Sequence, residues 1–115
     1  MSARRPDIIR LADMLRALER IDEIRRLGYH AFVESWVSQS AVIREFEVLG
    51  EAAGHVSAAT RTKFPEIGWK QMRGFTSFTK HEYWRVDPSL VWRAVEGAPG
   101  LRKALAAVER GLTDS

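Results

Sequence analysis

Two long stretches of this chain carry apolar residues three or four positions apart, and this spacing restricts what the chain can fold into. The first stretch contains Ile8, Leu11, Leu15, Leu18, Ile21 and Ile24, and the second contains Val42, Phe46, Leu49, Ala53 and Val56. Such spacing stacks the side chains on one face of an α-helix. No segment shows the strict alternation of apolar and polar residues, bounded by hairpin turns, that is typical of β-strands. The chain is therefore expected to be helical.

Start and stop signals give expected bounds for the first two long helices. The first is predicted from Pro6 to about Leu27, because Gly28 stands where a helix commonly ends. The connection after Gly28 carries no clear pattern. Ser38 or Ser40 is predicted to cap the second helix, since a serine hydroxyl can accept a hydrogen bond from a free backbone N–H of the first turn.

The second half of the chain carries further helix signals. A short helix is expected over residues 57–64, followed by a turn at residues 65–68 that contains proline and glycine. Another helix is expected from Trp69 to residues 81–83. The pair Asp87 and Pro88 is typical of a helix start, and the interruption by Pro99 and Gly100 predicts a kink or break in the helix that follows.

These segments predict an all-α fold, an antiparallel up-and-down bundle of four to five helices in a single domain over residues 1–115. With 45% hydrophobic residues, a chain of 115 residues can bury a core without disulfides or a structural metal. The absence of cysteine excludes disulfides and thiolate metal sites and suits a reducing cytoplasm. No apolar run approaches the roughly 20 residues that span a bilayer, so neither membrane insertion nor secretion is expected.

The positive charge of the chain is concentrated in its middle. Residues 61–85 carry six Lys or Arg and two Asp or Glu, a balance of +4, whereas residues 1–60 balance at −1 and residues 86–115 at zero. A local excess of this kind is a footprint for a polyanion such as RNA. The alternative is a solvated surface on which the charges cluster without a partner.

Several catalytic motifs are missing from the sequence. There is no G-x-x-x-x-G-K phosphate loop, no H-E-x-x-H metal site and no G-x-S-x-G nucleophile elbow. The three histidines, His30, His55 and His81, are not three or four residues apart, which is the spacing that places two ligands on one helical face. The sequence therefore predicts no metal and no cofactor.

The strongest candidate for chemistry is the stretch from Trp69 to Tyr83. If it is one continuous helix, Arg73, Ser77 and His81 advance by fours and share one stripe. Imidazoles can move protons near neutral pH and a guanidinium can hold a phosphate through two hydrogen bonds, so this pairing suits phosphodiester cleavage. The alternatives are a surface or capping histidine and an exposed helix cation.

Four linked motifs of this chain resemble the HepT-like branch of the HEPN superfamily. They are Glu47-x-x-Gly50-Glu51-Ala52-Ala53, then Pro65-x-Ile67-x-Trp69, then Gly74, and finally His81-Glu82-Tyr83 with Asp87. The resemblance covers nearly the whole chain. It implies a helical bundle that forms a homodimer and, for many members, a metal-independent ribonuclease toxin encoded beside a minimal nucleotidyltransferase antitoxin.

The resemblance also assigns roles to individual residues. It implies that His81 serves as acid or base while an RNA 2′-hydroxyl attacks the adjacent phosphate, and that Tyr83 is the residue adenylylated by the antitoxin. The family's motif has an arginine, usually followed by asparagine, ahead of the histidine; with Trp69, Gly74 and His81 aligned, these two positions hold Thr76 and Ser77. Threonine has no charge to offer a phosphate.

Other cations are candidates for the missing charge. Arg73 is the expected substitute for the motif arginine, although seven residues separate it from His81, more than the four to six of the family pattern. Lys70, Ser77 and Lys80 are further candidates for phosphate contacts. In one continuous helix Arg73 lies about 12 Å of helix rise from His81, so a shared phosphate is expected to need the cleft of a dimer.

Glu47 and Glu51 form a pair of carboxylates on the second long helix, with Gly50 between them. Such a pair can do acid–base work. The sequence favours packing positions instead, with Gly50 allowing a close approach between helices.

Two functions remain open on the sequence alone. The intact His81-x-Tyr83 favours a ribonuclease toxin, whereas Thr76 favours a catalytically inactive HEPN module that binds RNA or docks onto a nucleotidyltransferase. A purely structural helical dimer is a third reading.

Overall fold

The described part of the chain contains eight α-helices, and a 3-10 turn lies between the fifth and the sixth. The structure is a computed structural model that describes residues 4–81, 85 and 87–114. The elements are α1 (Arg4–Arg25), α2 (Tyr29–Glu34), α3 (Trp36–Gly54), α4 (Ala58–Lys63), α5 (Trp69–Arg73), the 3-10 turn (Gly74–Thr76), α6 (Ser77–His81), α7 (Ser89–Glu96) and α8 (Ala98–Thr113). The prediction of an all-α helical fold is confirmed, and no strand occurs within these ranges.

The core is built around α1, which packs against α3 on one side and α8 on another. Arg20 of α1 pairs with Glu45 of α3 at 3.5 Å, while Asp7 at the start of α1 bonds to Ser57, just beyond the end of α3, so these two helices run antiparallel. The residues that α1 and α3 bury at 1% exposure or less are Leu11, Met14, Ala17, Leu18, Ile21, Val42, Phe46, Leu49 and Ala53. The two apolar stripes read from the sequence are thus the facing sides of one core.

The first helix ends close to its predicted bound, at Arg25 instead of about Leu27. Gly28 follows α1 and has a φ of 93°, a backbone conformation in which a side chain is strained. The chain then reverses through α2, which the sequence leaves unassigned, and α2 buries Phe32 against the core. The predicted short helix over residues 57–64 is also present, as α4.

The predicted cap of the second long helix is wrong. Ser35, not Ser38 or Ser40, is the N-cap of α3, and its hydroxyl accepts a hydrogen bond from the Ser38 backbone N–H at 3.1 Å. Burial of Gln39 explains the earlier start, because its side-chain amide donates to the carbonyl oxygens of Phe32 and Val33 and so holds the end of α2 beside the first turn of α3.

The predicted break at Pro99 and Gly100 lies elsewhere. The boundary between α7 and α8 lies at Gly97, and Pro99 stands in the first turn of α8. A proline costs little there because the backbone N–H that it lacks has no partner in the first turn of any helix. The helix start predicted at Asp87 and Pro88 is found one residue later: α7 begins at Ser89 with Pro88 in the N-cap position, and the Asp87 carboxylate accepts bonds from the backbone N–H and hydroxyl of Ser89. None of the described helices has the length and apolar character needed to cross a bilayer.

Candidate functional site

Three phenylalanines hold the candidate segment, residues 69–81, onto α3. The ring of Phe46 on α3 lies 4.8 Å from that of Phe75 and 5.5 Å from that of Phe78, measured between centroids. Phe75 and Phe78 stack on each other at 5.8 Å, with their planes 13° apart. Their spacing of three residues brings them to one face of the segment, so the opposite face is left to polar residues.

Gly50 brings the backbone of the segment unusually close to α3. A Cβ placed on Gly50 would lie 2.8 Å from the carbonyl oxygen of Met72 and 3.0 Å from the Cγ2 atom of Thr76. Atoms in real structures do not approach so closely, so only glycine fits at this contact. The expected role of Gly50 in close helix approach is confirmed.

The continuous helix predicted from Trp69 onward is wrong in its middle. The helix stops at Arg73, a 3-10 turn covers Gly74–Thr76, and α6 begins at Ser77. A 3-10 turn advances about 120° per residue, whereas an α-helix advances about 100°. Arg73 is therefore rotated away from Ser77 and His81 by more than the 40° per step that a regular helix would give, and the three residues do not share one stripe.

The predicted site residues fall into two groups. Lys70 and Arg73, both exposed, are one turn apart on α5. Ser77, Lys80 and His81 lie within α6, where Ser77 is half-buried and the other two are exposed. Tyr83, the predicted site of modification, lies outside the described residues.

Thr76, which the sequence resemblance aligns with the motif arginine, is half-buried beside Gly50. Its hydroxyl donates a hydrogen bond to the carbonyl oxygen of Arg73 at 3.1 Å, within its own 3-10 turn. Both contacts serve local packing. The Cβ atom of any residue at position 76 therefore lies next to the closest contact between the segment and α3.

The two carboxylates on α3 do not act as a pair in this structure. Glu47 is half-buried and accepts a hydrogen bond from Arg44 of its own helix at 2.7 Å, while Glu51 is exposed. Within the described ranges, no group of three or more His, Cys, Asp or Glu residues is placed to hold a metal ion.

A cleft of about 400 Å³ adjoins the segment on the side of α7 and α8. Phe75 and Phe78 form one wall together with Met72 and Gln71, and the remaining lining residues are Gly68, Leu90, Arg93, Ala94, Gly97 and Leu101. No motif in the sequence singles out Phe75, Phe78 or Arg93. The spacing of the two phenylalanines is a signal that could have found them, whereas nothing in the sequence places Arg93 opposite them.

Comparisons with known proteins agree on one family. The profile of the family described as "Ribonuclease HepT-like" matches residues 14–108. A protein of Methanocaldococcus jannaschii, provisionally named an RNase, is 32% identical over 85% of this chain and 92% of its own length. A Thermococcus cleftensis protein, provisionally named ribonuclease HepT, is 33% identical over 80% of this chain and 86% of its own length. No solved structure matches the chain significantly.

Proposed function

This chain belongs to the ribonuclease HepT-like family, and from that premise we propose that it is a metal-independent endoribonuclease that acts as the toxin of a toxin–antitoxin system. The observation that carries the proposal is the family match over residues 14–108, which includes the whole candidate segment. It is supported by the exposed Lys70, Arg73 and Lys80, because exposed cations attract the phosphates of RNA.

In the proposed reaction, the 2′-hydroxyl of one nucleotide attacks the neighbouring phosphorus. His81 accepts the proton of the 2′-hydroxyl as the new P–O bond forms, and the bond from phosphorus to the 5′-oxygen breaks. The 5′-oxygen leaves with a proton taken from a general acid or from water. The products are a 2′,3′-cyclic phosphate and a 5′-hydroxyl, and no metal or cofactor enters the balance.

A cation is needed to stabilise the negative charge that develops on the phosphate, and the proposed cation is Arg73 or Lys80. Arg73 and His81 lie on different helices with the 3-10 turn between them. In a homodimer the cation and His81 need not come from the same chain, because a cation of one subunit could face His81 of the other. Trp36 and Val37 at the start of α3 support a dimer, since their side chains are 75% and 59% exposed and exposed aromatic residues are enriched in interfaces.

The remaining parts of the proposal come from the family. The partner antitoxin is a minimal nucleotidyltransferase, Tyr83 is the residue that it adenylylates, and both proteins act in the cytoplasm. Adding a nucleotide two residues from His81 would place bulk and negative charge beside the site and so exclude RNA.

The position of Thr76 favours a second candidate function. A half-buried threonine bonded within its own turn leaves the site without the motif arginine, and the loss of one such group costs roughly 10²- to 10³-fold in rate. The alternative is therefore a catalytically inactive member of the family that binds RNA or docks onto the nucleotidyltransferase.

The decisive experiment is to incubate the purified protein with a mixed RNA pool in excess EDTA, beside the variant His81→Ala. The matched control is His30→Ala, which removes another exposed histidine, on α2. Circular dichroism and sedimentation equilibrium check that the fold and the oligomeric state are retained.

Cleavage by the parent and by His30→Ala, but not by His81→Ala, is the expected result. Equal cleavage by His81→Ala would refute the role of His81. If all three proteins bind RNA and none cleaves it, the ribonuclease is refuted and the catalytically inactive RNA-binding member of the family is favoured.

A further inference from the structure

We propose that the cleft between the candidate segment and helices α7 and α8 binds one nucleobase of the RNA, with Arg93 holding a phosphate of the same strand. This inference rests on the proposed function, because it assumes an RNA ligand. It adds a binding subsite that lies beside the residues proposed to cleave the strand.

The lining of the cleft suits a flat apolar ring. Phe75 and Phe78 are half-buried, so part of each ring faces the cleft, and Met72, Leu90, Ala94 and Leu101 complete an apolar surface. Bases stack on aromatic side chains whatever their sequence, with roughly 1–3 kcal/mol for each stacked base. The side-chain amide of Gln71, which also lines the cleft, can bond to the edge of a base.

The charge around the cleft suits a ligand with a phosphate. Arg93 is exposed at the cleft and forms no ion pair with any residue that the structure describes. Arg93 is the one cation among the described residues that line the cleft. A cation therefore stands at the edge of an apolar floor, and grooves that bind single-stranded nucleic acids combine basic with aromatic side chains.

The size of the cleft argues for a base and against a protein segment. Its volume of about 400 Å³ lies near the lower end of the range for small-ligand sites, roughly 300–1,000 Å³. A stable protein interface needs about 1,000 Å² of buried surface or more, which a cleft of this size does not supply.

The first arm of the test measures binding without cleavage. The probe is a fluorescent RNA oligomer in which every 2′-hydroxyl is methylated, so that no 2′-oxygen can attack. Arg93→Ala is expected to weaken binding roughly tenfold and to reduce the slope of log affinity against log salt by about one. The matched control is Arg16→Ala, which removes an exposed arginine of α1 outside the cleft and should change affinity less than twofold.

The second arm separates the base from the backbone. Ala94→Phe fills the cleft, and Ala107→Phe adds the same ring at an exposed position of α8. Ala94→Phe should weaken binding of the methylated oligomer at least fivefold, yet leave binding of an abasic oligomer of equal length unchanged. Thermal unfolding of each variant confirms that the protein is folded at the assay temperature.

The proposal is overturned if Arg93→Ala behaves like Arg16→Ala, or if Ala94→Phe weakens the abasic oligomer as much as the complete one. It is also overturned if Ala94→Phe changes the sedimentation mass without changing RNA affinity, since the cleft would then belong to an interface between copies of this chain.

Failure of the ribonuclease proposal would look different. Base-dependent binding in a protein that cleaves no RNA would refute the enzyme and keep the subsite. Cleavage and binding by the cleft variants at the parent's level would refute the subsite and keep the enzyme.

Discussion

Gly50 of α3 and Met72 of α5 meet so closely that no side chain fits between them. A Cβ on Gly50 would lie 2.8 Å from the Met72 carbonyl oxygen, a backbone atom that cannot turn aside. This contact sets the distance between the helix that carries the core stripe and the segment that carries His81. A substitution at Gly50 should therefore change the stability of the protein, and Thr76, which also lies beside Gly50, is the position to vary in the candidate site.

The substitution Gly50→Ala should destabilise the protein by about 1–3 kcal/mol, because the added methyl group forces α5 away from α3. Thermal unfolding followed by circular dichroism measures the loss. The control is Gly54→Ala in the same helix, where an added Cβ meets nothing within 4 Å and should be neutral or stabilising. A Gly50→Ala variant as stable as the parent would contradict the close contact.

The substitution Thr76→Arg should raise the rate of RNA cleavage, by up to about 10²-fold, because it places a two-pronged phosphate ligand at the position that the sequence resemblance aligns with the motif arginine. Thr76→Lys is the matched variant, since it restores the charge without the planar guanidinium, and it should give a smaller gain. Initial rates on one RNA substrate measure the effect. An unchanged rate in Thr76→Arg, in a protein that remains folded, would mean that another cation already fills this role.

Removing the carboxylate of Asp7 should cost about 2–3 kcal/mol of stability, because it leaves several hydrogen-bond donors without a buried acceptor. Asp7 is 2% exposed and accepts bonds from the Ser57 N–H at 2.9 Å, the Ser57 hydroxyl at 2.6 Å and the Thr60 hydroxyl at 2.5 Å. Urea denaturation of Asp7→Ala measures the loss. Glu23→Ala, an exposed carboxylate on the same helix, should change stability by less than about 0.5 kcal/mol.

Asp22 predicts a dependence of stability on pH. The hydrogen bond from Arg25 at 2.6 Å, together with the charges of Arg25 and Arg26, lowers the pKa of Asp22 below its usual 3.8, against the opposing effect of burial. Because the folded pKa is the lower one, the stabilisation is complete above pH 3.8 and is lost as the pH falls through the folded value.

The variant Asp22→Asn tests this dependence. It should be less stable than the parent near neutral pH, and the difference in unfolding free energy should shrink as the pH falls below 3.8. Urea titrations of both proteins at a series of pH values measure the difference. A gap that stays constant to the lowest pH at which both proteins fold would contradict the assigned pKa shift.

Much of the helical framework can be read from local sequence because helix formation depends on near neighbours. The stripe from Ile8 to Ile24 and the glycine at position 28 predict α1 and its end, and both are found. The errors occur where a contact between two elements outweighs a signal within one of them. Ser35 caps α3 in place of Ser38 or Ser40 because the buried Gln39 is tied to the end of α2.

The candidate site is less predictable than the framework. The residues of the site, including His81, are recognisable from motifs and their spacing, and the prediction of their roles still awaits experiment. The 3-10 turn at Gly74–Thr76 separates Arg73 from Ser77 and His81, with which it was predicted to share one face of a helix. Its position reflects the contact of Gly50 with Met72 and the anchoring of Phe75 on Phe46, and these pairs are more than twenty residues apart in the chain.

The sequence by itself determined the all-helical class, the family and the short stretch that holds the candidate residues, because periodicity and motif spacing are local properties. Only the tertiary structure decided which of those residues share a helix, where the segment bends, and that Arg93 faces Phe75 and Phe78 across a cleft. Close packing is the physical reason. Side chains and backbone atoms from distant parts of the chain must fit together in the same small volume. No single stretch of sequence shows which of them will be in contact.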